Sequence, residues 1–184
     1  EAAMVAPDGR TLEGHRRDGE AEARIAGARW DYVVLQEGRD SRPGYSVNGE
    51  RFYSEPTLFF AQAAYFAARV RERGAVPVFF ETWGAGAGRA YLEYAYARAA
   101  RENAARLAPV GRVFARLSAQ PDAGLLAEDG SHPSRRGTEV AAATIAATLF
   151  GPPADTAALE PRDRGAIVAA LADAGDAKTP LPPR

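Results

Sequence analysis

The 184-residue sequence contains no cysteine, which rules out disulfides, thiolate nucleophiles and cysteine-ligated zinc. Histidine is nearly as scarce. Only His15 and His132 are present, so a metal site built from several imidazole ligands is excluded. Charge of one sign is not in excess either: 23 Lys and Arg face 24 Asp and Glu, which leaves no basic footprint for a nucleic acid. No apolar run approaches the roughly 18 residues that a membrane-crossing helix requires. A glycine-rich phosphate loop is missing too. GAGAG at 84–88 lacks both the lysine and the G-x-G-x-x-G spacing, which argues against a nucleotide-binding module.

What is present is an alternation of strand and helix signals. YVVLQ at Tyr32–Gln36 and PVFFE at Pro77–Glu81 are short β-branched and apolar runs, of the kind buried on both faces of a parallel sheet. Between them the pattern predicts a polar loop from Gly38 to Tyr53. A helix then follows with Ser54 as N-cap and Pro56 in its first turn, turning Leu58, Phe59, Tyr65, Phe66 and Val70 inward and stopping near Gly74. A further helix is expected over Arg89–Leu107 and a weaker strand at LAPVG, 107–111. Val140, Thr144, Ile145, Thr148 and Leu149 recur at helical spacing, with Ser134 as the cap and Gly151-Pro152-Pro153 as the stop. Residues 162–174 form a last amphipathic segment, and AMVAPDG at the start reads as the end of a strand and a turn. These signals describe one α/β domain over residues 1–175 with a flexible Pro-rich tail at 176–184.

Ligands in open parallel sheets bind beyond the carboxyl ends of the strands. Gln36 and Glu37 follow the first strand, and Glu81, Thr82 and Trp83 follow the second, so Glu37, Glu81 and Trp83 are candidates to line a substrate cleft. Glu37 and Glu81 would equally serve as helix caps or arginine partners. The loop EDGSHPSRRG at 128–137 holds the most specific chemistry. Asp129 is close enough to His132 to accept a hydrogen bond from one ring nitrogen, which leaves the other free to act as a base. The same spacing fits a surface histidine in a turn made by Gly130 and Pro133.

WDYVVLQE at 30–37 followed by DGSHPSRRG at 129–137 resembles the third and fifth blocks of the SGNH (GDSL) hydrolase superfamily, in the branch whose third block reads Leu-Gln-Glu. The likeness runs from about Gly9 to Gly151. It implies a flavodoxin-like, three-layer α/β/α fold around a parallel sheet. It also implies an ester hydrolase, often acting on acetyl groups of sugars, that uses neither metal nor cofactor. By the same resemblance Asp129 and His132 are the catalytic pair. Gly9, in APDGRTL, stands where the family draws a backbone oxyanion donor, although it also fits an ordinary turn glycine. The family's side-chain donor is an asparagine, and here the sequence departs: Asp40 would fall at that position, and a carboxylate only accepts. The Gln36 amide is the replacement donor, ahead of Asn48.

The block carrying the family's serine is absent from the chain. Only eight residues precede Gly9 and none is serine. Ser41, Ser46 and Ser54 lack a nucleophile-turn context, Ser131 adjoins His132, where neighbouring loop side chains rarely meet in line, and Ser134 is better explained as a cap. The expectation is therefore an N-terminally incomplete Ser-His-Asp esterase or carbohydrate O-deacetylase, with its serine before residue 1 and its first strand missing. The alternative is a non-catalytic fragment or pseudoenzyme that binds carbohydrate through Trp83 or Tyr45. The expected partner is a small-molecule or carbohydrate ester, and the family favours an exported protein.

Overall fold

The computed structural model describes residues 1–38, 44–47, 50–53, 55–120, 122–151 and 159–175. Seven helices and five strands occur among the described residues. In chain order they are α1 (Leu12–Asp18), α2 (Glu20–Ala26), β1 (Tyr32–Leu35), β2 (Gly44–Val47), β3 (Glu50–Tyr53), α3 (Thr57–Glu72), β4 (Val76–Phe80), α4 (Gly86–Glu102), β5 (Arg106–Ala108), α5 (Val110–Ser118), α6 (Arg135–Phe150) and α7 (Pro161–Gly175). One sheet has the order β1-β4-β5, and β2 with β3 forms a separate hairpin. The chain forms two compact units, Glu1–Phe79 with Arg98–Arg106 and Phe80–Ala97 with Leu107–Arg184.

In the first unit β1 and β4 run parallel, with Tyr32 opposite Val76 and Leu35 opposite Phe79. Parallel neighbours need a crossover, and α3 lies in it. Phe59, Ala63, Phe66 and Val70 recur every three or four residues along α3 and, with Ala67, are buried. Each large apolar side chain enclosed this way contributes roughly 1.5–3 kcal/mol. Phe59 meets Phe79 edge-on, with centroids 6.4 Å apart and planes at 75°.

Both strands read from YVVLQ and PVFFE are present to within a residue, whereas other expectations are corrected. The run from Gly38 to Tyr53 is not all loop: β2 and β3 pair antiparallel, with Gly44 opposite Tyr53 and Val47 opposite Glu50. The sequence signal was Asn48-Gly49, a pair that favours two-residue hairpin turns. Residues 1–7 carry no strand, and Met4 is 83% exposed. Pro56 holds the N-cap position of α3, while the expected cap Ser54 lies outside the described residues.

The second unit is built around α5, α6 and α7. The expected helix Arg89–Leu107 ends at Glu102, because Arg106–Ala108 is taken into β5. LAPVG is correspondingly half strand: Pro109 caps α5, which the strand reading missed. Val110, Val113, Phe114 and Leu117 give α5 one apolar face, and they join Leu125, Val140, Ala147 and Ile167 in a buried core. α6 begins where expected, with the Ser134 Oγ accepting from the Gly137 N–H at 3.1 Å. Arg136 on α6 pairs with the buried Asp163 on α7 at 2.7 Å. Pro152, Pro153 and the tail 176–184 lie outside the described residues.

Candidate active site

The segment before α6 folds back on itself. Leu126 and Pro133 form an antiparallel bridge, the Ala127 N–H donates to the His132 carbonyl at 2.9 Å, and the Ser134 N–H donates to the Leu125 carbonyl at 2.9 Å. Gly130 takes a φ of 67° at the tip, a left-handed conformation that side chains disfavour. Inside this turn the Asp129 carboxylate does two jobs. Its Oδ1 accepts from the backbone N–H groups of Ser131 at 2.8 Å and His132 at 2.9 Å, and its Oδ2 lies 2.5 Å from His132 Nδ1. The hydrogen bond from the ring, then those from the two backbone groups, lower the Asp129 carboxyl to about 2. It is therefore ionised at neutral pH and can only accept. The proton of the short contact consequently sits on Nδ1, which leaves Nε2 as the ring nitrogen able to act as a base. The His132 side chain is 79% exposed, and its Nε2 makes no hydrogen bond among the described residues.

In the first unit, Gly9 and the end of β1 are brought together. A Cβ at position 38 would lie 2.5 Å from the Gly9 carbonyl oxygen and 2.8 Å from that of Arg10, so only glycine permits this approach. Glu37 is buried, and its Oε2 accepts from the Leu12 N–H at 2.9 Å, satisfying an otherwise orphan donor of the first turn of α1. It also borders a cavity of about 140 Å³ lined by Thr11, Glu13, Leu58, Phe59 and Gln62. Gln36, one residue earlier, is exposed, and its amide is unengaged among the described residues.

The other two cleft candidates belong to the second unit. Glu81 has no exposed surface. Its Oε1 accepts from the Arg112 N–H and its Oε2 from Arg112 Nε, both at 3.1 Å, while burial pushes its carboxyl up to about 7 against the pull of Arg112. Enclosure and pairing make Glu81 a tie between the end of β4 and the first turn of α5, with no surface to offer a ligand. Trp83 is half-buried and stacked on Phe114, with centroids 4.6 Å apart and planes 19° from parallel. Its Nε1 donates to the Ser131 carbonyl at 3.0 Å. Among the described residues, no three carboxylate or imidazole groups converge to hold a metal, and no helix is long and apolar enough to cross a membrane.

No family model and no curated protein matches the chain. Solved structures do. A candidate SGNH hydrolase from Slackia heliotrinireducens is similar over 77% of this chain and 80% of its own, with 28% identity and a TM-score of 0.59. The similarity is to SGNH hydrolases. The crystal structure of TesA covers 77% of the chain and 73% of its own at a TM-score of 0.57, and at 19% identity it speaks for the fold alone. The α/β fold expected from the motifs is thus the SGNH fold. The structural roles of two residues escaped the motif reading. Gly38 sits next to Glu37 and is required by the close approach to Gly9, 29 positions away in sequence. Arg112 was invisible as the partner of Glu81 because α5 itself was unread, although Val110, Val113, Phe114 and Leu117 already carried its helical spacing.

Proposed function

We propose that the protein is a serine-type ester hydrolase, an esterase or carbohydrate O-deacetylase, in which His132 is the general base and Asp129 orients it. The observation that carries this reading is the 2.5 Å contact between Asp129 Oδ2 and His132 Nδ1, with Nε2 left unengaged on an exposed ring. Such an imidazole takes the proton from a serine hydroxyl as its oxygen attacks the ester carbonyl carbon. The tetrahedral intermediate collapses, the alcohol leaves with the proton from His132, and water activated by the same nitrogen then hydrolyses the acyl-serine. We assign stabilisation of the oxyanion to the Gly9 N–H and the Gln36 amide. What supports that assignment is the packing of Gly38 on Gly9, which draws the turn at Gly9 to the end of β1, together with the exposed and unengaged Gln36.

The nucleophile in this reading is a serine that precedes residue 1. Ser134 is committed, its Oγ donating to the Gly124 carbonyl and accepting from Gly137. Ser131 adjoins His132, and neighbouring side chains in one turn do not meet in line. Ser118 lies at the end of α5, and nothing in its setting resembles a nucleophile turn.

Gln36→Ala in the full-length protein tests the oxyanion assignment with p-nitrophenyl acetate as substrate. A donor engaged only in the transition state should cost roughly 100-fold in kcat with KM nearly unchanged. A rise in KM at constant kcat would make Gln36 a substrate-binding residue and remove it from the oxyanion hole.

A further inference from the structure

Among the described residues, the hydrogen bonds made by residues 127–133 stay inside the loop or its flanks, with one exception. Ala127 binds the His132 carbonyl, Gly130 binds Ala127, and Asp129 gathers Ser131 and His132. The exception is the Trp83 indole, 48 positions away in sequence, which donates to the Ser131 carbonyl. Asp129 fixes the imidazole only relative to the loop that carries both residues. The pair could therefore remain intact while the whole loop swings.

We propose that Trp83 is a positioning residue for this hydrolase, its indole N–H holding the Ser131 carbonyl and so setting the direction in which His132 presents Nε2. The inference rests on the reading of His132 as the base. Ser131 immediately precedes His132, so the orientation of the peptide between them sets the direction of the His132 side chain. The indole is itself held. Its face lies on Phe114, which is 3% exposed, and Phe80 packs at 6.5 Å and 48°. Phe114 stands on α5, whose first turn is tied to the end of β4. The Gly111 N–H donates to the Glu81 carbonyl at 3.0 Å, and Arg112 binds the Glu81 carboxylate through both its backbone and its side chain. Glu81 precedes Trp83 by two residues, so platform and indole start from one anchored point. A Cβ on Gly111 would fall 2.3 Å from the Thr82 carbonyl oxygen, which shows how closely α5 abuts this strand end.

Two replacements in the full-length protein isolate the donor. Trp83→Phe keeps an aromatic ring against Phe114, and incorporation of 3-benzothienylalanine at position 83 keeps the bicyclic shape while deleting only the N–H. Both should lower kcat for p-nitrophenyl acetate roughly 10- to 100-fold with KM and Tm close to the parent, as expected for a base displaced by a fraction of an ångström to an ångström. Amide order parameters over residues 127–133 should fall from about 0.85 towards 0.6, with those of α5 unchanged. Loop order and kcat both retained in the benzothienyl protein would overturn the proposal. So would a rise in KM alone, which would place Trp83 against substrate. Should the parent protein hydrolyse no ester, the order parameters still decide whether Trp83 holds the loop, and the hydrolase reading falls separately.

Discussion

His132→Ala in the full-length protein is expected to lower the turnover of p-nitrophenyl acetate by about 10³- to 10⁶-fold, the scale on which loss of the base in a Ser-His-Asp relay is felt. The substitution is mild in every other respect. The ring is 79% exposed and its one side-chain partner among the described residues is Asp129, while the backbone of residue 132 keeps its bonds to Ala127 and to the Asp129 carboxylate. Tm should therefore stay close to the parent, and the activity loss is read on folded protein. Undiminished turnover would remove His132 from the mechanism.

Asp129→Asn should cost less, roughly 10²- to 10⁴-fold, and for a reason specific to this turn. Two backbone N–H groups already converge on Oδ1, so the single amide oxygen of an asparagine is held at that position. The NH₂ group then faces His132 Nδ1 and, being a donor, makes that nitrogen the acceptor. The ring proton moves to Nε2, the atom that has to receive the serine proton. The turn survives, and the tautomer is wrong. The check is kcat on protein whose Tm and loop amide shifts match the parent; full activity would mean that Asp129 shapes the loop without serving the chemistry.

Legibility in the sequence followed the range over which each feature is determined. The Asp129–His132 contact was readable because three residues, a left-handed glycine and a Ser cap decide it locally; the contact, the bridge and the start of α6 all arise within residues 124–137. YVVLQ and PVFFE were readable because continuous apolar runs bounded by polar residues have few other solutions. Glu81 shows where such reasoning stops. The strand-end rule pointed it at a cleft, but its destination depends on Arg112, 31 positions later and on an unread helix. Glu37 likewise turned inward to cap α1, and the approach of Gly38 to Gly9 depends on how two distant segments pack. The hairpin β2–β3 was missed for a different reason. Tyr45, Val47, Phe52 and Tyr53 are interspersed with charged and small residues, and the polar character of the whole run outweighed the Asn-Gly turn signal.

The central claim is that Asp129 and His132 activate a serine supplied before residue 1. Fluorophosphonates react with serines activated in this way, so the most direct measurement is to treat the full-length protein with such a probe and locate the adduct by peptide mass spectrometry. The account predicts a single labelled serine in the sequence preceding Glu1, with labelling abolished in His132→Ala. An adduct on Ser41, Ser131 or any other serine within these 184 residues would contradict it and move the mechanism to that residue.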